Sequence, residues 1–458
     1  MTVSISRKIA YEILRRVESE GAYASDLLHA DLGSNTKPED AALATEIVMG
    51  VLRWRRQLDV LIEKYTKKPI ARFDVAVAIA LRMGLYQLRF LDRVPARAAV
   101  NESVEIVKSA KKASAATLVN AVLRRAAEEA RKPAEQLLGP TSSNAERLAI
   151  LHSHPTWMVE RWLARLGEAP TIALLEANNR TPRLSCAIHD VSQLDELTNE
   201  LRTAGLRILP GEMLKSAFAV SGGSPARTEA FRAGRVSIQD EASQIVPLLL
   251  DVQTGDRVLD LCAAPGGKTP PLARGAGPGG LVVAGERHAH RLRAMRDQFK
   301  RLGLDKVRLV EVDAERVLPF GVQFDRILVD APCSGTGTLA RHPEIRWRLQ
   351  REHLADFYGL QRGLLENAID ALAPGGRLVY STCSMEPEEN EAVVRAVLQK
   401  RGDIRLIGRE VGPNSLRSKL IDDVDVQALF DEEGYFRTSP TEHLADGFFA
   451  AVIGKSAG

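Results

Sequence analysis

The stretch VLDLCAAPGGKT (residues 258–269) reads as a short apolar strand, a thin turn and the start of a helix. In open α/β sheets ligands bind beyond the carboxyl ends of the strands, so this loop is where a bound small molecule is expected. Gly266 and Gly267 let the backbone come close to a ligand, and Ala263 and Ala264 keep the turn thin. It is not a Walker A loop, which needs glycine where Cys262 stands, nor the GxGxxG of dinucleotide enzymes. Taken alone, the motif fits equally a tight strand-to-helix turn with no ligand.

The surrounding pattern decides the fold. From residue 236 onward RVLDL, LVVAG, VRLVEVD, RILVD and GRLVYST read as strands, with helices at 288–302, 354–373 and 388–400. Such alternation predicts a mainly parallel, doubly wound sheet. The late pair GYFRTSP and DGFFAAVIG is expected to close it as an antiparallel edge hairpin. Glu286, Asp313 and Asp330 end the second, third and fourth strands, all on one rim. A lone acid at a strand end is more often a helix cap. Three in succession favour a cofactor with a ribose and an adenine, the first acid gripping the ribose hydroxyls about twenty residues beyond the glycines. With no phosphate-gripping loop, S-adenosylmethionine suits the rim better than ATP or NAD, because it carries no phosphate and its sulfonium is a cation.

The chain has 458 residues, enough for about three domains. Hydrophobic content of 45% and charged content of 26% are those of a soluble globular protein. No run of eighteen apolar residues and no leader pattern occurs, so a cytoplasmic location without a membrane is the default. Four cysteines without a CxxC pair argue against a disulfide framework or a zinc site, and His288 and His290 lack ligand-spaced partners, so no metal is expected. Residues 1–138 show helical periodicity, as at Ile13, Leu14 and Val17 or Ile47, Val51, Leu58 and Leu61. RKPAEQLLGPTSSN (131–144) reads as a linker, residues 145–236 as a connecting α+β subdomain, and 237–458 as the sheet domain. The net charge of +3 settles nothing about partners, and the sequence gives no oligomeric state beyond a default monomer.

Cys333 and Cys383 follow the fourth and fifth strands, so both are expected on the cofactor rim. Free cysteine is often just a small buried hydrophobe, which suits Cys186 inside LSCAI. It suits Cys333 and Cys383 poorly, set among Pro332, Ser334 and Gly335 and between Thr382 and Ser384. A reactive thiol beside a methyl donor suggests methylation of a weakly nucleophilic carbon such as pyrimidine carbon 5. Thiolate addition at carbon 6 would load electron density onto carbon 5, the logic of covalent catalysis. Asp330 is placed to bind ring nitrogen 3 and the exocyclic amine, and Lys268 to favour a thiolate.

At this point LDLCAAPGGKT, DAPCSGTG, RHPEIRW and STCS together resemble the motif set of the Nol–Nop–Sun RNA cytosine-5 methyltransferases. DRVPARAAVNESVEIVK and TLVNAVLRR are similar to a NusB-like helical RNA-binding domain, while SHPTWMVERW and IQDEAS look like the family's connecting region. The resemblance implies a Rossmann-like methyltransferase sheet preceded by that helical domain, with S-adenosylmethionine as cofactor and 16S ribosomal RNA as substrate. It implies Cys383 as nucleophile and Cys333 in product release. Cofactor contacts are implied along Cys262, Ala263, Ala264, Pro265, Gly266, Gly267 and Lys268 and at Glu286, Asp313 and Asp330. DNA cytosine-5 methyltransferases use the PC-motif cysteine with a Glu-Asn-Val triplet, which this chain lacks. Glu286 departs from the more common Asp.

A target cytosine must leave its stack, and RNA loops offer such bases. Arg341, Arg346, Trp347 and Arg348, directly after the PC loop, are expected to hold flanking phosphates or stack on a base, with Arg53, Arg55 and Arg56 as a second RNA contact beside Lys67 and Lys68. The bland alternative is a helix start with a buried Trp347. Two competing readings remain: an RNA-binding protein with a vestigial methyltransferase fold, and a methyltransferase acting on another acceptor such as protein, for which the thiols would be dispensable.

Overall fold

The computed structural model describes residues 3–32, 36–137 and 139–457. The chain divides into two compact units, Met1–Thr181 with Leu339–Leu349, and Pro182–Thr338 with Gln350–Gly458. The boundary expected at 138 falls on a residue outside those described. The connecting segment expected over 145–236 is divided: its helices Asn144–Leu151, Thr156–Leu166 and Glu168–Asn179 belong to the first unit, and its strands to the second.

Among the described residues the first unit contains helices and no strand. Ile13, Leu14, Val17, Ile47, Val51, Leu58 and Leu61 are buried in one core, with Ile9, Leu43 and Trp54 packed at its margin. Apolar residues at this spacing line one face of each helix, and burying those faces is what holds the bundle.

In the second unit a small antiparallel sheet has the order β2-β3-β1-β4, formed by β1 (Leu184–Ile188), β2 (Arg207–Pro210), β3 (Ala217–Ser221) and β4 (Val236–Ile238). The sequence IQDEAS ties it to the main sheet domain. Asp240 caps the helix Glu241–Leu248 through the amide of Ala242 at 3.0 Å, and the buried Glu241 carboxylate accepts the amides of Glu212, Met213 and Leu214.

The large sheet comprises β5 (Arg257–Asp260), β6 (Leu281–Glu286), β7 (Arg308–Glu311), β8 (Phe324–Asp330), β9 (Leu372–Thr382), β10 (Ile404–Leu406), β11 (Phe436–Thr438) and β12 (Phe448–Lys455). Its order is β10-β12-β9-β8-β5-β6-β7, with β11 paired to β12. Pairings among β5 to β9 are parallel, and those of β12 antiparallel. The chain runs from β5 through β6 to β7, then returns to lay β8 on the other side of β5. That reversal is the topological switch point where such sheets bind ligands. One expectation is corrected: β11 and β12 do pair, but β12 is interior, because β10 adds outside it. Phe448 to Ile453 are all buried, as in a strand covered on both faces, whereas three-residue β10 is too short to carry a periodicity. The helix expected to reach 373 stops at Asp370, and β9 begins at Leu372.

Segment Leu339–Leu349 belongs to the helical unit and corrects the RNA-contact expectation for most of its residues. Arg346 is fully buried and donates to the carbonyls of Ser153, Asn178 and Leu339 and to Asn179 Oδ1, at 2.9–3.2 Å. Trp347 Nε1 donates to Leu52 O at 2.6 Å, with the Arg55 guanidinium 5.8 Å over its ring. Arg348 donates to the carbonyls of Val17, Gly21 and Ala22 at the end of the helix Ile5–Glu20. Glu344 Oε1 accepts the amide of Ala24 at 3.0 Å, where the helix Ala24–Asp31 begins. The charges therefore cap helix ends that would otherwise leave main-chain groups orphaned. Arg53 is buried and donates to Ala340 O, Arg55 pairs with Glu18 at 2.7 Å, and Arg56 donates to His154 O. Arg346 and Arg53 are thus buried on protein and out of reach of phosphate, while Trp347 and Arg348, half-buried, are engaged with main-chain carbonyls. Arg341 is half-buried, and Lys67 and Lys68 are exposed.

Removing Arg346 strands four acceptors in the interior. Arg346→Met is expected to lower unfolding stability by about 3 kcal/mol or more, read by urea or thermal unfolding. Unchanged stability with weakened RNA binding would instead restore the phosphate-contact role.

Candidate active site

The carboxyl ends of β5, β6, β8 and β9 carry the residues singled out in the sequence. After β5 the loop turns tightly: Gly266 N donates to Ala263 O at 2.7 Å, and Ala263 N to Gly285 O at 2.9 Å. Gly266 has φ +99°, and a Cβ there would lie 2.9 Å from the Phe299 ring, so both conformation and space select glycine. Pro270 and Pro271 fall in the first turn of the helix Thr269–Ala276, where no intrahelical amide bond is lost.

Beneath the loop lies Asp260, the last residue of β5, which the sequence reading passed over. Its Oδ2 accepts from Thr269 Oγ1 at 2.7 Å, bridging both ends of the loop, while its buried Oδ1 has no hydrogen-bond partner. Burial, reinforced by the charge of Asp330, pushes this carboxyl up to about 7 against the Thr269 hydrogen bond and Lys268. The position inside LDLC is visible in sequence, but its alternation with apolar neighbours makes it look like any strand-end acid.

Glu286 is buried, with Oε1 accepting the amide of His288 at 2.9 Å and Oε2 facing Arg291 at 3.3 Å. Asp313 accepts the amide of Glu315 and pairs with Arg316 at 3.3 Å. Each ionised carboxylate has about four acceptor positions, so both keep capacity for hydroxyl donors.

Lys268 and Asp330 form a half-buried ion pair, Nζ to Oδ2 at 2.6 Å, and Ser381 Oγ donates to Asp330 Oδ1 at 2.8 Å. The ammonium also lies 5.0 Å over the Phe448 ring. Burial alone would push the Lys268 ammonium down, but its pairing with Asp330, with smaller contributions from Cys383 and Asp260, raises it.

The structure brings the two loop cysteines together: Cys333 Sγ and Cys383 Sγ are 3.3 Å apart. The hydrogen bond with Cys383, then burial, drives the Cys333 thiol well above its usual value, so it keeps its proton. Burial raises the Cys262 thiol as well, and Cys186 is buried in β1, as a core thiol should be. Gly337 N donates to Cys383 O at 2.9 Å, and Ala331 N to Ser381 O at 2.8 Å, so the loops after β8 and β9 are laced directly. A further buried carboxylate, Glu389, sits behind both. Among the described residues no group of three or more His, Cys, Asp and Glu side chains is arranged to hold a metal ion, and no helix is long and apolar enough to cross a membrane.

The donor set fits S-adenosylmethionine: a glycine-lined turn, acids at successive strand ends, and an orphaned buried carboxylate oxygen that calls for a cationic or hydrogen-bonding partner. The family model described as 16S rRNA methyltransferase RsmB/F matches residues 247–454, and that of the NusB family residues 4–128. The chain is 32% identical over 454 residues to the probable ribosomal RNA small subunit methyltransferase B of Bacillus subtilis (strain 168), spanning 98% of each. It is 34% identical over 404 residues to ribosomal RNA small subunit methyltransferase B of Salmonella arizonae, spanning 87% of this chain and 91% of that one. The crystal structure of a methyltransferase homolog protein from Pyrococcus horikoshii shares 30% identity with a TM-score of 0.57, covering 69% of this chain and all of that one. Sheet order, site and these likenesses agree that the chain belongs to the RsmB/F family of S-adenosylmethionine-dependent rRNA methyltransferases, with a NusB-family domain ahead of the catalytic fold.

Proposed function

We propose that the protein methylates carbon 5 of a cytosine in 16S ribosomal RNA, in the cytoplasm, through a covalent bond between Cys383 and the base. The observation that carries this reading is the pair of thiols 3.3 Å apart beside the Lys268–Asp330 ion pair. S-adenosylmethionine supplies an activated methyl group on a sulfonium. What the chain supplies is the nucleophile, its proton balance and the grip on the base.

Either sulfur can donate in the hydrogen bond between Cys333 and Cys383; the family resemblance makes Cys383 the nucleophile, and Cys333, its thiol held well above the usual value by that bond, the protonated neighbour. Addition of that sulfur to carbon 6 moves the ring's electron pair to carbon 5, which then takes the methyl group. Asp330, fixed by Lys268 and Ser381, retains lone pairs to accept from the exocyclic amine, and the Lys268 ammonium stabilises negative charge developing on the ring. A water molecule then takes the carbon-5 proton, the electron pair of that bond re-forms the carbon 5–carbon 6 double bond, and the Cys383 sulfur leaves carbon 6 as a thiolate. Cys333 stands beside the departing sulfur throughout that step. The names of the relatives, ribosomal RNA small subunit methyltransferase B, support RNA as the acceptor.

With methyl donor and 16S RNA, Cys333→Ala should accumulate a protein–RNA adduct that survives denaturant, and Cys383→Ala should give neither adduct nor product. Methylation by Cys383→Ala would sink the assignment. Bisulfite mapping of ribosomal RNA from a deletion strain and its parent locates the base.

Asp260 is assigned to the cationic end of the donor. A carboxyl raised to about 7 is favoured as the carboxylate when a cation binds beside it. Donor binding should therefore release a proton near neutrality, and affinity should rise as pH climbs through about 7. Calorimetry in buffers of different ionisation enthalpy measures both, and Asp260→Asn should remove them. An identical proton release in that variant rules this assignment out.

A further inference from the structure

The mechanism uses two thiols from two different loops on one base, so their separation must be held while RNA is bound. The catalytic pair itself holds little, because a thiol–thiol hydrogen bond is weak. Behind the pair lies Glu389, fully buried and out of reach of RNA or donor. Its Oε2 accepts the amide of Ser334 at 2.7 Å and Gln361 Nε2 at 3.0 Å. Its Oε1 accepts Ser384 Oγ at 2.5 Å and the Ser334 hydroxyl. Ser334 directly follows Cys333, and Ser384 directly follows Cys383. Gln361 Nε2 also donates to Pro332 O at 2.9 Å, so the residue before Cys333 joins the same network. Four donors meet the four acceptor positions of one carboxylate, and no donor competes with another. The backbone of Glu389 is itself pinned, its carbonyl accepting from Tyr380 Oη at 2.6 Å.

We propose that Glu389 is a positioning residue: its carboxylate clasps the residues following the two cysteines and so sets the distance between the thiols. The assignment rests on the covalent reading above and adds to it the element that keeps Cys333 beside the Cys383 sulfur when the base is released.

The clasp is unequal. Ser384 keeps other anchors when Glu389 is removed, since its carbonyl accepts from Asn390 Nδ2 at 2.9 Å and Cys383 follows the paired strand β9. Ser334 loses two bonds at once, and Gln361 loses the partner that aims it at Pro332. The Cys333 loop keeps its main-chain ties at Ala331 and Gly337 but loses its anchor at Ser334 between them, so it is the one loosened around the thiol. Replacing the carboxylate by an amide turns two of its acceptor positions into donors, which then face donors.

Glu389→Gln should form the RNA adduct through Cys383 but release it slowly, with turnover lower by about tenfold and adduct accumulating although Cys333 is present. A merely structural role would lower adduct formation and turnover together. The second readout needs neither RNA nor donor. Phenylarsine oxide bridges two adjacent thiols, forming two arsenic–sulfur bonds with loss of water, and mass spectrometry counts the product. Capture should be slower by about tenfold in Glu389→Gln, with single-thiol alkylation by iodoacetamide unchanged. Capture and turnover at parental rates overturn the proposal. If Glu389→Gln fails to unfold cooperatively, Ser334→Ala, which keeps the carboxylate and removes one donor, should show the same pattern at about threefold. Parental behaviour there also overturns it. A failure of the cytosine-5 reading would show instead in Cys383→Ala, and leaves the arsenical result standing.

Discussion

Everything at this site depends on the ion pair between Lys268 and Asp330, laid across the place where the sheet reverses direction. Lys268 comes from the loop after β5 and Asp330 from the end of β8, strands that neighbour each other only because of that reversal. Bringing two charges out of water costs several kcal/mol per ion, and their attraction repays it only where geometry is good and remaining hydrogen bonds are satisfied. Both conditions hold here. The 2.6 Å contact is completed by Ser381 from β9, so three strand ends are joined through one carboxylate. A pair of this kind adds little to net stability, but it fixes the cofactor loop against the two cysteine loops before any ligand arrives. Preorganised charge of that sort is what an active site needs.

Much of this site was legible in the sequence because the fold concentrates chemistry at strand ends. Strand ends announce themselves by apolar runs that stop at an acid, as at Glu286 and Asp330. The two thiols stood out because Pro, Ser, Gly and Thr surround them, and a core cysteine does not keep such company. Glu389 was illegible for the opposite reason. It lies in MEPEENE, where four glutamates occur within six residues, and nothing in that run says which one turns inward. Its partners are an amide and hydroxyls from loops fifty residues apart in sequence, and such partners leave no pattern. β10 failed to appear because three residues cannot show alternation, and without it β12 read as an edge.

The arginines after the PC loop show a different limit. A dense run of Arg around a Trp looks like a phosphate-binding surface, and its composition was read correctly. Its destination was not. Guanidinium groups donate to main-chain carbonyls as well as to phosphates, and helix ends present just such carbonyls in clusters. Arg348 and Glu344 serve opposite helix ends, one taking up carbonyls and the other an amide, in accord with the charge each terminus carries. The segment Leu339–Leu349 thus leaves the catalytic sequence directly after Thr338 and completes the core of the helical unit. Neither unit's sequence is a single stretch, which is why linear domain boundaries drawn at composition changes could not describe the chain.

On the covalent mechanism proposed above, the same geometry explains why the chain keeps two cysteines where one would suffice to form a bond. A lone buried thiol has no nearby group of matching acidity with which to exchange a proton. Two thiols within a hydrogen bond share one, so whichever sulfur is bonded to carbon, the other carries the proton account. The hydrogen bond with Cys383, then burial, drives Cys333 toward its protonated form, and Lys268 places a positive charge near Cys383. The asymmetry between chemically identical side chains therefore comes from their surroundings: Cys383 lies near the Lys268 cation at the switch point, and Cys333 is held by its hydrogen-bonded partner. Such a division of labour requires the separation to stay fixed, and a thiol–thiol hydrogen bond is too weak to enforce it, which is the task proposed for Glu389 behind them.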